Sequence, residues 1–169
     1  LEHVEAELAP RLMHHESAGA AIPGTGELEE IVTFSPLGVV ANISAWNFPY
    51  FVGTNVFIPA LLTGNAVLYK PSEHATLTGK AIAGLMHEAG VPEDIFIPII
   101  GGGQVGAHLL DQPVDGVFFT GSHNTGVKVA STVAHRLIPT QLELGGKDPA
   151  YVADDVDPKA VAEALVEGA

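Results

Sequence analysis

Residues 66–106 read AVLYKPSEHATLTGKAIAGLMHEAGVPEDIFIPIIGGGQVG. The stretch opens on Ala66-Val67-Leu68-Tyr69, a short apolar run without polar alternation, as expected of a strand covered on both faces. From Ala75 to Ala89 the pattern changes period. Leu77, Ala81 and Leu85 share one face with Ile82 and Met86 beside them, which predicts a helix, with Gly90 as its C-cap and Pro92 as its stop. A second apolar run, Ile95 to Ile100, then ends in glycines. Strand, helix and strand with continuously apolar strands make a parallel βαβ unit.

Working outward, the same alternation continues. Strand-like runs lie at 65–69, 95–100, 116–119, 140–144 and 150–153, and helical segments near 51–62, 75–89, 104–111, 123–135 and 158–168. Residues 4–18 are read as a helix interrupted or restarted at Pro10, and 19–30 as a loop. Ile31-Val32-Thr33-Phe34 pairs with Leu37–Ile43 in an expected hairpin. The expectation is an α/β fold: a Rossmann-like parallel sheet with helices on both faces, preceded by a helix and β-hairpin segment. Residues 1–36 form the lead-in and 37–169 a partial dinucleotide-binding domain. Ligands of such sheets bind beyond the carboxyl ends of the strands.

Twenty acidic residues stand against seven basic, a formal net charge of −13. Nucleic-acid binding rests on Lys and Arg neutralising phosphates, so this balance argues against it, and against anionic membranes as well. A soluble acidic protein and an adaptation to high salt both fit. No apolar run approaches membrane-spanning length, and Leu1-Glu2-His3-Val4-Glu5 has no basic region followed by an apolar run, so no signal peptide is expected there; the cytoplasm is the default expectation. The eight histidines show no ligand spacing, so no metal is expected. There is no cysteine.

Gly101-Gly102-Gly103-Gln104-Val105-Gly106 fits G-x-G-x-x-G after a strand. The acidic residue that ordinarily follows the next strand is missing, leaving a variant dinucleotide site, ordinary Rossmann binding or a purely structural turn. Lys70-Pro71-Ser72-Glu73 closes a strand; Lys70 can donate to ribose or phosphate oxygens and Glu73 can accept from ribose hydroxyls, or the pair is a surface Lys beside a cap. Phe119-Thr120-Gly121-Ser122 leads into a helix whose first N–H groups can hold a phosphate, and Ser122 equally suits a plain N-cap. Asn47, in Trp46-Asn47-Phe48-Pro49, carries an amide suited to a developing oxyanion or to turn formation. Glu143, before Leu144-Gly145-Gly146, sits in an apolar strand where desolvation suits it to proton abstraction; a buried structural carboxylate paired with Lys147 or backbone N–H groups is the other reading.

Taken together and in order, these motifs resemble the NAD(P)-dependent aldehyde dehydrogenase family. Phe34–Val40, Ile43–Pro49, Gly64–Glu73, Phe119–Ser122 and Leu142–Lys147 carry the resemblance, which covers residues 31 to 169. It implies that Asn47 helps hold a thiohemiacetal oxyanion and that Glu143 activates water for deacylation. It further implies that Lys70 and Glu73 bind the adenosine ribose and that Ser122 sits at the pyrophosphate. Ile43, Ser44, Ala45 and Trp46 match a wall near the cofactor, and the Leu144 backbone lies near the nicotinamide amide. Ser72, Gly101, Gly103, Gly106, Phe119, Thr120, Gly121 and Gly145 complete the expected cofactor set. NAD is expected, with NADP possible, together with an aldehyde substrate and a homo-oligomer whose contacts involve residues 27–43.

The family's glycine loop is not used as in an ordinary Rossmann protein. Its nucleophilic cysteine follows a helix like Pro158–Gly168, and Ala169 falls before that point. The expectation is therefore a central segment of a longer enzyme, without the catalytic domain. The alternative is a non-catalytic dinucleotide-binding or scaffold module.

Overall fold

A computed structural model describes residues 14–18 and 29–167, the strands 14–18 and 29–33 by their backbone only. Strands β1 (His14–Ala18) and β2 (Glu29–Thr33) pair antiparallel, His14 opposite Thr33, as a sheet of their own. The main sheet follows: β3 (Val39–Ile43), β4 (Ala66–Lys70), β5 (Phe96–Pro98), β6 (Gly116–Gly121) and β7 (Thr140–Leu144). All pairs are parallel and the order is β5-β4-β3-β6-β7. The helices between them are α1 (Pro49–Leu62), α2 (Thr76–Glu88), α3 (Gly103–Leu110) and α4 (His123–Val133); α5 (Pro158–Glu167) comes last.

The expected parallel sheet with helices on both faces is present. Three local readings are corrected. Residues 14–18 are a strand, not the end of a helix (4–13 lie outside the described residues). The 31–34 segment pairs with β1 rather than with 37–43, because β3 is taken up centrally between β4 and β6. Residues 150–153 form no strand.

Because strand side chains alternate, β3 sends Val40 to one face and Ala41 to the other, and two cores form. Val40, Val67, Tyr69 and Phe96 pack with Phe57 and Ala60 of α1 and Ile82, Ala83 and Met86 of α2. The Phe57, Tyr69 and Phe96 rings lie 5.0–5.5 Å apart, edge-on or stacked, spacings that add to plain area burial. On the other face Ala41, Ile43, Val117 and Phe119 pack with Leu109 and Leu110 of α3 and Val129 and Val133 of α4.

The face of α2 that the sequence favoured is the solvent face: Leu77 and Leu85 are exposed, while Gly79, Ile82, Ala83 and Met86 are buried. Gly79 decides this. A Cβ there would collide with the Pro71 ring, so the helix turns its smallest residue toward the turn after β4.

The lower end of the sheet is held by polar side chains. Asn65 Oδ1 accepts from Leu37 N and Gly38 N at 2.6 and 3.0 Å, and its amide donates to Ala60 O at 2.9 Å. Arg136 donates to the carbonyls of Leu110, Gln112 and Val114, fixing the connection from α3 to β6. No described helix is long and apolar enough to cross a membrane.

Candidate cofactor and catalytic site

The strand order reverses at β3. The chain builds outward to β4 and β5, then returns to place β6 on the other side. The connections leaving β3 and β6 therefore diverge at their carboxyl ends and open a crevice.

A cleft of about 440 Å³ lies there, between the ends of β3, β4 and β6 and helices α3 and α4. It is lined by Ile43, Ser44, Ala45, Trp46, Lys70, Ser72, Glu73, Gly103, Gly106, Phe119, Thr120, Gly121 and Ser122, which is nearly the whole expected cofactor set. Gly101 does not line it. Its role is steric, since a Cβ at Gly101 would overlap the Val105 side chain at the start of α3.

Lys70 is 4% exposed, its ammonium 3.2 Å from Pro71 O and 3.8 Å from Glu73 Oε2. Burial lowers its pKa from the ordinary lysine value, and the Glu73 carboxylate opposes that shift. Gly106 lies against the Lys70 stem, where an added Cβ would make only ordinary contact, 3.4 Å from Lys70 Cε. Ser72 caps the short turn of 3₁₀ helix that carries Glu73, accepting from His74 N at 3.3 Å. Glu73 is half exposed, its carboxylate close to Gly102 at the head of α3.

Ser122 is the N-cap of α4, accepting from Thr125 N at 3.3 Å and sharing a 3.0 Å hydroxyl contact with Thr125 Oγ1. α3 begins at Gly102 with no side-chain cap. Two helix N-termini thus carry N–H groups free for acceptors. Together with the Lys70 ammonium and the Glu73 carboxylate, they put hydrogen-bond donors and an acceptor in one cleft.

A second cleft, of about 690 Å³, opens on the α1 side of the same strand ends. It brings Asn47 and Glu143 into one cavity with Leu144 and Gly145, and shares Ala45, Trp46, Thr120, Gly121 and Ser122 with the first. A ligand crossing those five residues reaches from one cleft to the other. Ser44 stabilises the partition: its N–H donates to Lys70 O at 3.0 Å and its hydroxyl to Asn42 Oδ1 at 2.8 Å. Leu144 packs on α4, where a Cβ at Gly126 would come 2.5 Å from Leu144 Cδ2.

One expectation fails here. Glu143 is exposed and accepts from Gln141 Nε2 at 3.0 Å, so neither the expected burial nor the pairing with Lys147 is present. The reason is topological: α1 and α2 lie over β3, β4 and β5, leaving the α1-side face of β7 open to the second cleft.

The scan against protein families matches residues 5–169 to the model described as "Aldehyde dehydrogenase family". The chain belongs to the aldehyde dehydrogenase family. It is 44% identical over 134 residues to the 4,4'-diapolycopene aldehyde oxidase of Methylomonas sp., covering 79% of this chain and 25% of that protein. It is 39% identical over 165 residues to peroxisomal aminoaldehyde dehydrogenase 1 of Pisum sativum, covering 96% and 33%. Among solved structures, the NAD-dependent aldehyde dehydrogenase of Sinorhizobium meliloti superposes with a TM-score of 0.80 at 34% identity, over 96% of this chain and 32% of that one. The betaine aldehyde dehydrogenase of Staphylococcus aureus, solved in complex with NAD+, gives the same values. This aldehyde dehydrogenase chain spans a quarter to a third of the length of the relatives it matches.

Several lining residues carried no motif signal. Thr125, Lys128, Val129 and Thr132 line the first cleft, as do Ala107 and Leu110 beside Gly103 and Gly106 of the glycine motif. Both sets run i, i+3, i+4, i+7 along α4 and α3, so helical periodicity, rather than a motif, would have found them. Phe48, the N-cap of α1, and Phe51, Val52 and Asn55 within it line the second cleft by the same spacing.

Proposed function

We propose that this chain is the cofactor-binding part of an enzyme that oxidises an aldehyde to a carboxylic acid with NAD(P). The observation that carries the reading is the pair of clefts sharing one wall, one suited to a dinucleotide and the other holding a carboxamide and a carboxylate. In the first cleft, Lys70 and Glu73 would hold the adenosine ribose, and the N-terminus of α4 with Ser122 the pyrophosphate. When bound, the nicotinamide supplies the hydride acceptor.

In the second cleft the Asn47 amide donates to the oxygen of the aldehyde as it takes on negative charge. Glu143 takes a proton from the water that releases the acid from a covalent thioester. The 169 residues contain no cysteine, so the thiolate of such a thioester is supplied from outside them. Relatives are named for betaine aldehyde, aminoaldehydes and 4,4'-diapolycopene aldehyde, so the substrate is left at the class of aldehydes. We assign the separate β1–β2 pair to self-association, as a homo-oligomer.

The test is rapid-quench kinetics on the enzyme that carries this chain. Glu143→Gln should give a burst of reduced cofactor near one equivalent, then turnover slowed about 10²-fold or more, because the water loses its base. Asn47→Ala should weaken the burst itself by about 10²-fold. If Glu143→Gln turns over at the unmutated rate, its carboxylate is not the base.

A further inference from the structure

Glu143 stands alone as a charge in the second cleft. The chain has twenty acidic residues, yet of the residues that line this cleft from the turn after β3, α1, β6 and β7, no other is ionisable. Tyr50 of α1 and Lys147 beyond β7 are not part of the lining. Among the described residues no cation lies within 4 Å of the Glu143 carboxylate.

Its one polar partner is Gln141. The two are two residues apart on β7, so both side chains point to the same side of the sheet. Phe118 and Thr120 stand opposite them on β6, and Phe118 packs against the core under α1, which makes that side the α1 side. Gln141 Nε2 donates to Glu143 Oε1 at 3.0 Å. The direction of the bond follows from the chemistry, since an ionised carboxylate only accepts and the amide must turn its nitrogen to it.

The placement of this bond matters for the second oxygen. Glu143 lies on the edge strand of the sheet and is exposed, so packing does not hold its carboxylate. Gln141 lies toward the amino end of β7, whereas Asn47 lies beyond the carboxyl end of β3. The bond anchors the carboxylate from the side away from Asn47. Oε2 has no hydrogen-bond partner among the described residues.

We propose that Gln141 is a positioning residue: it holds one oxygen of Glu143 so that the other meets the water that releases the acid. In that step the water oxygen bonds to the thioester carbon, its proton passes to Oε2 and the thiolate leaves; nothing is oxidised or reduced. An amide donor also favours the ionised carboxylate, the form that accepts the proton. Gln141 touches neither the water nor the thioester, and acts through Glu143. The inference rests on the reading of Glu143 as the base.

The experiment is rapid-quench kinetics from about pH 5 to 9 on the enzyme that carries this chain, with NAD and whichever of acetaldehyde, betaine aldehyde and 3-aminopropanal turns over fastest. The burst of reduced cofactor reads hydride transfer, and the steady phase reads release of the acid. Gln141→Met keeps the length and loses the donor, Gln141→Glu sets a like charge beside the carboxylate, and Gln141→Lys supplies a charged donor. The burst should be unchanged in all three. Gln141→Met should slow the steady phase about three- to tenfold at neutral pH, the cost of freeing one long side chain. The pH of half-maximal steady rate should rise by about half a unit in Gln141→Met, the size of one exposed charge-assisted bond. It should rise further in Gln141→Glu and fall below the unmutated value in Gln141→Lys. A side chain that merely supports the strand gives no such order. One common half-maximal pH for all three variants, or a burst and steady phase lowered together, overturns the role of Gln141 and leaves Glu143 as the base. A steady phase whose pH dependence survives unchanged in Glu143→Gln overturns the base itself, and the role of Gln141 falls with it.

Discussion

Tyr69 and Lys70 are neighbours on β4 that point to opposite faces, and their protons respond to pH in opposite senses. Tyr69 is sealed between α1 and α2, and burial pushes its phenol up to about 12 from an ordinary value near 10. The folded state keeps a proton that the unfolded chain has lost, so stability is intact below pH 10 and falls as pH rises toward 12, by roughly 1.4 kcal/mol per unit. Lys70 has its pKa lowered by burial, so its charged form is a burden at neutral pH that eases as pH rises toward the ordinary lysine value of 10.5. Urea melts should therefore show Tyr69→Phe losing less stability than the unmutated protein between pH 10 and 12. Lys70→Met should gain more at about pH 8 than near pH 10.5. Parallel pH curves for Tyr69→Phe and the unmutated protein would mean the phenol is not protected as its burial requires. At this scale the sequence was informative wherever a residue sits at a strand's carboxyl end. Lys70, Glu73, Ser122 and Asn47 were each marked by a proline or glycine beside a strand, whereas Lys128 and Asn55 lie mid-helix, where nothing local marks them.

Between elements, the contact that sets the site is α2 against the turn after β4. Gly79 faces Pro71 with no space for a methyl group. Gly79→Ala should cost about 1–3 kcal/mol by overpacking and weaken cofactor binding several-fold, because Pro71 carries Lys70 on one side and Ser72 and Glu73 on the other. Gly84→Ala in the same helix is the control. A Cβ there meets nothing within 4 Å, and the substitution should stabilise by about 0.5–1 kcal/mol through helix propensity. If the two variants melt together, the close approach is not a constraint. The same glycine shows why the sheet was readable and the helix orientation was not. Apolar runs between helical segments are local patterns, and they returned β3 to β7 to within two residues at each end. The buried face of α2 depends on which side chain can approach Pro71, a contact between segments. The lead-in was misread for a related reason: β1 and β2 pair with each other across ten intervening residues, and neither has an apolar run strong enough to outweigh the helical reading of 4–18.

At the scale of the whole molecule, the two faces of the sheet are unequally covered. α3 and α4 cover one side, while along α1 the surface falls into two connected grooves that share Asn55, Val56 and Gln141. Trp46, Phe48, Tyr50 and Phe51 stand exposed at the upper end of α1, and α5 buries none of its residues. The covered side holds a cleft with walls on both flanks, suited to retaining a dinucleotide. The open side presents Asn47 and Glu143 from one direction only. Oxyanion stabilisation needs donors converging on one oxygen and a nucleophile within reach of the carbon, and no thiol is present among the 169 residues to supply the latter. Binding and chemistry should therefore separate in a polypeptide of these residues alone. Titrated with NAD, it should retain the cofactor cleft if its sheet folds, a condition checked independently by cooperative unfolding. Mixed with NAD and a panel of aldehydes, it should produce no sustained rise in reduced-cofactor absorbance. Adding back the remainder of the enzyme in trans should restore activity only where that remainder carries the cysteine. Steady turnover by the 169 residues alone would mean that another group acts as nucleophile, and the assignment of Asn47 and Glu143 to thioester chemistry would have to be abandoned.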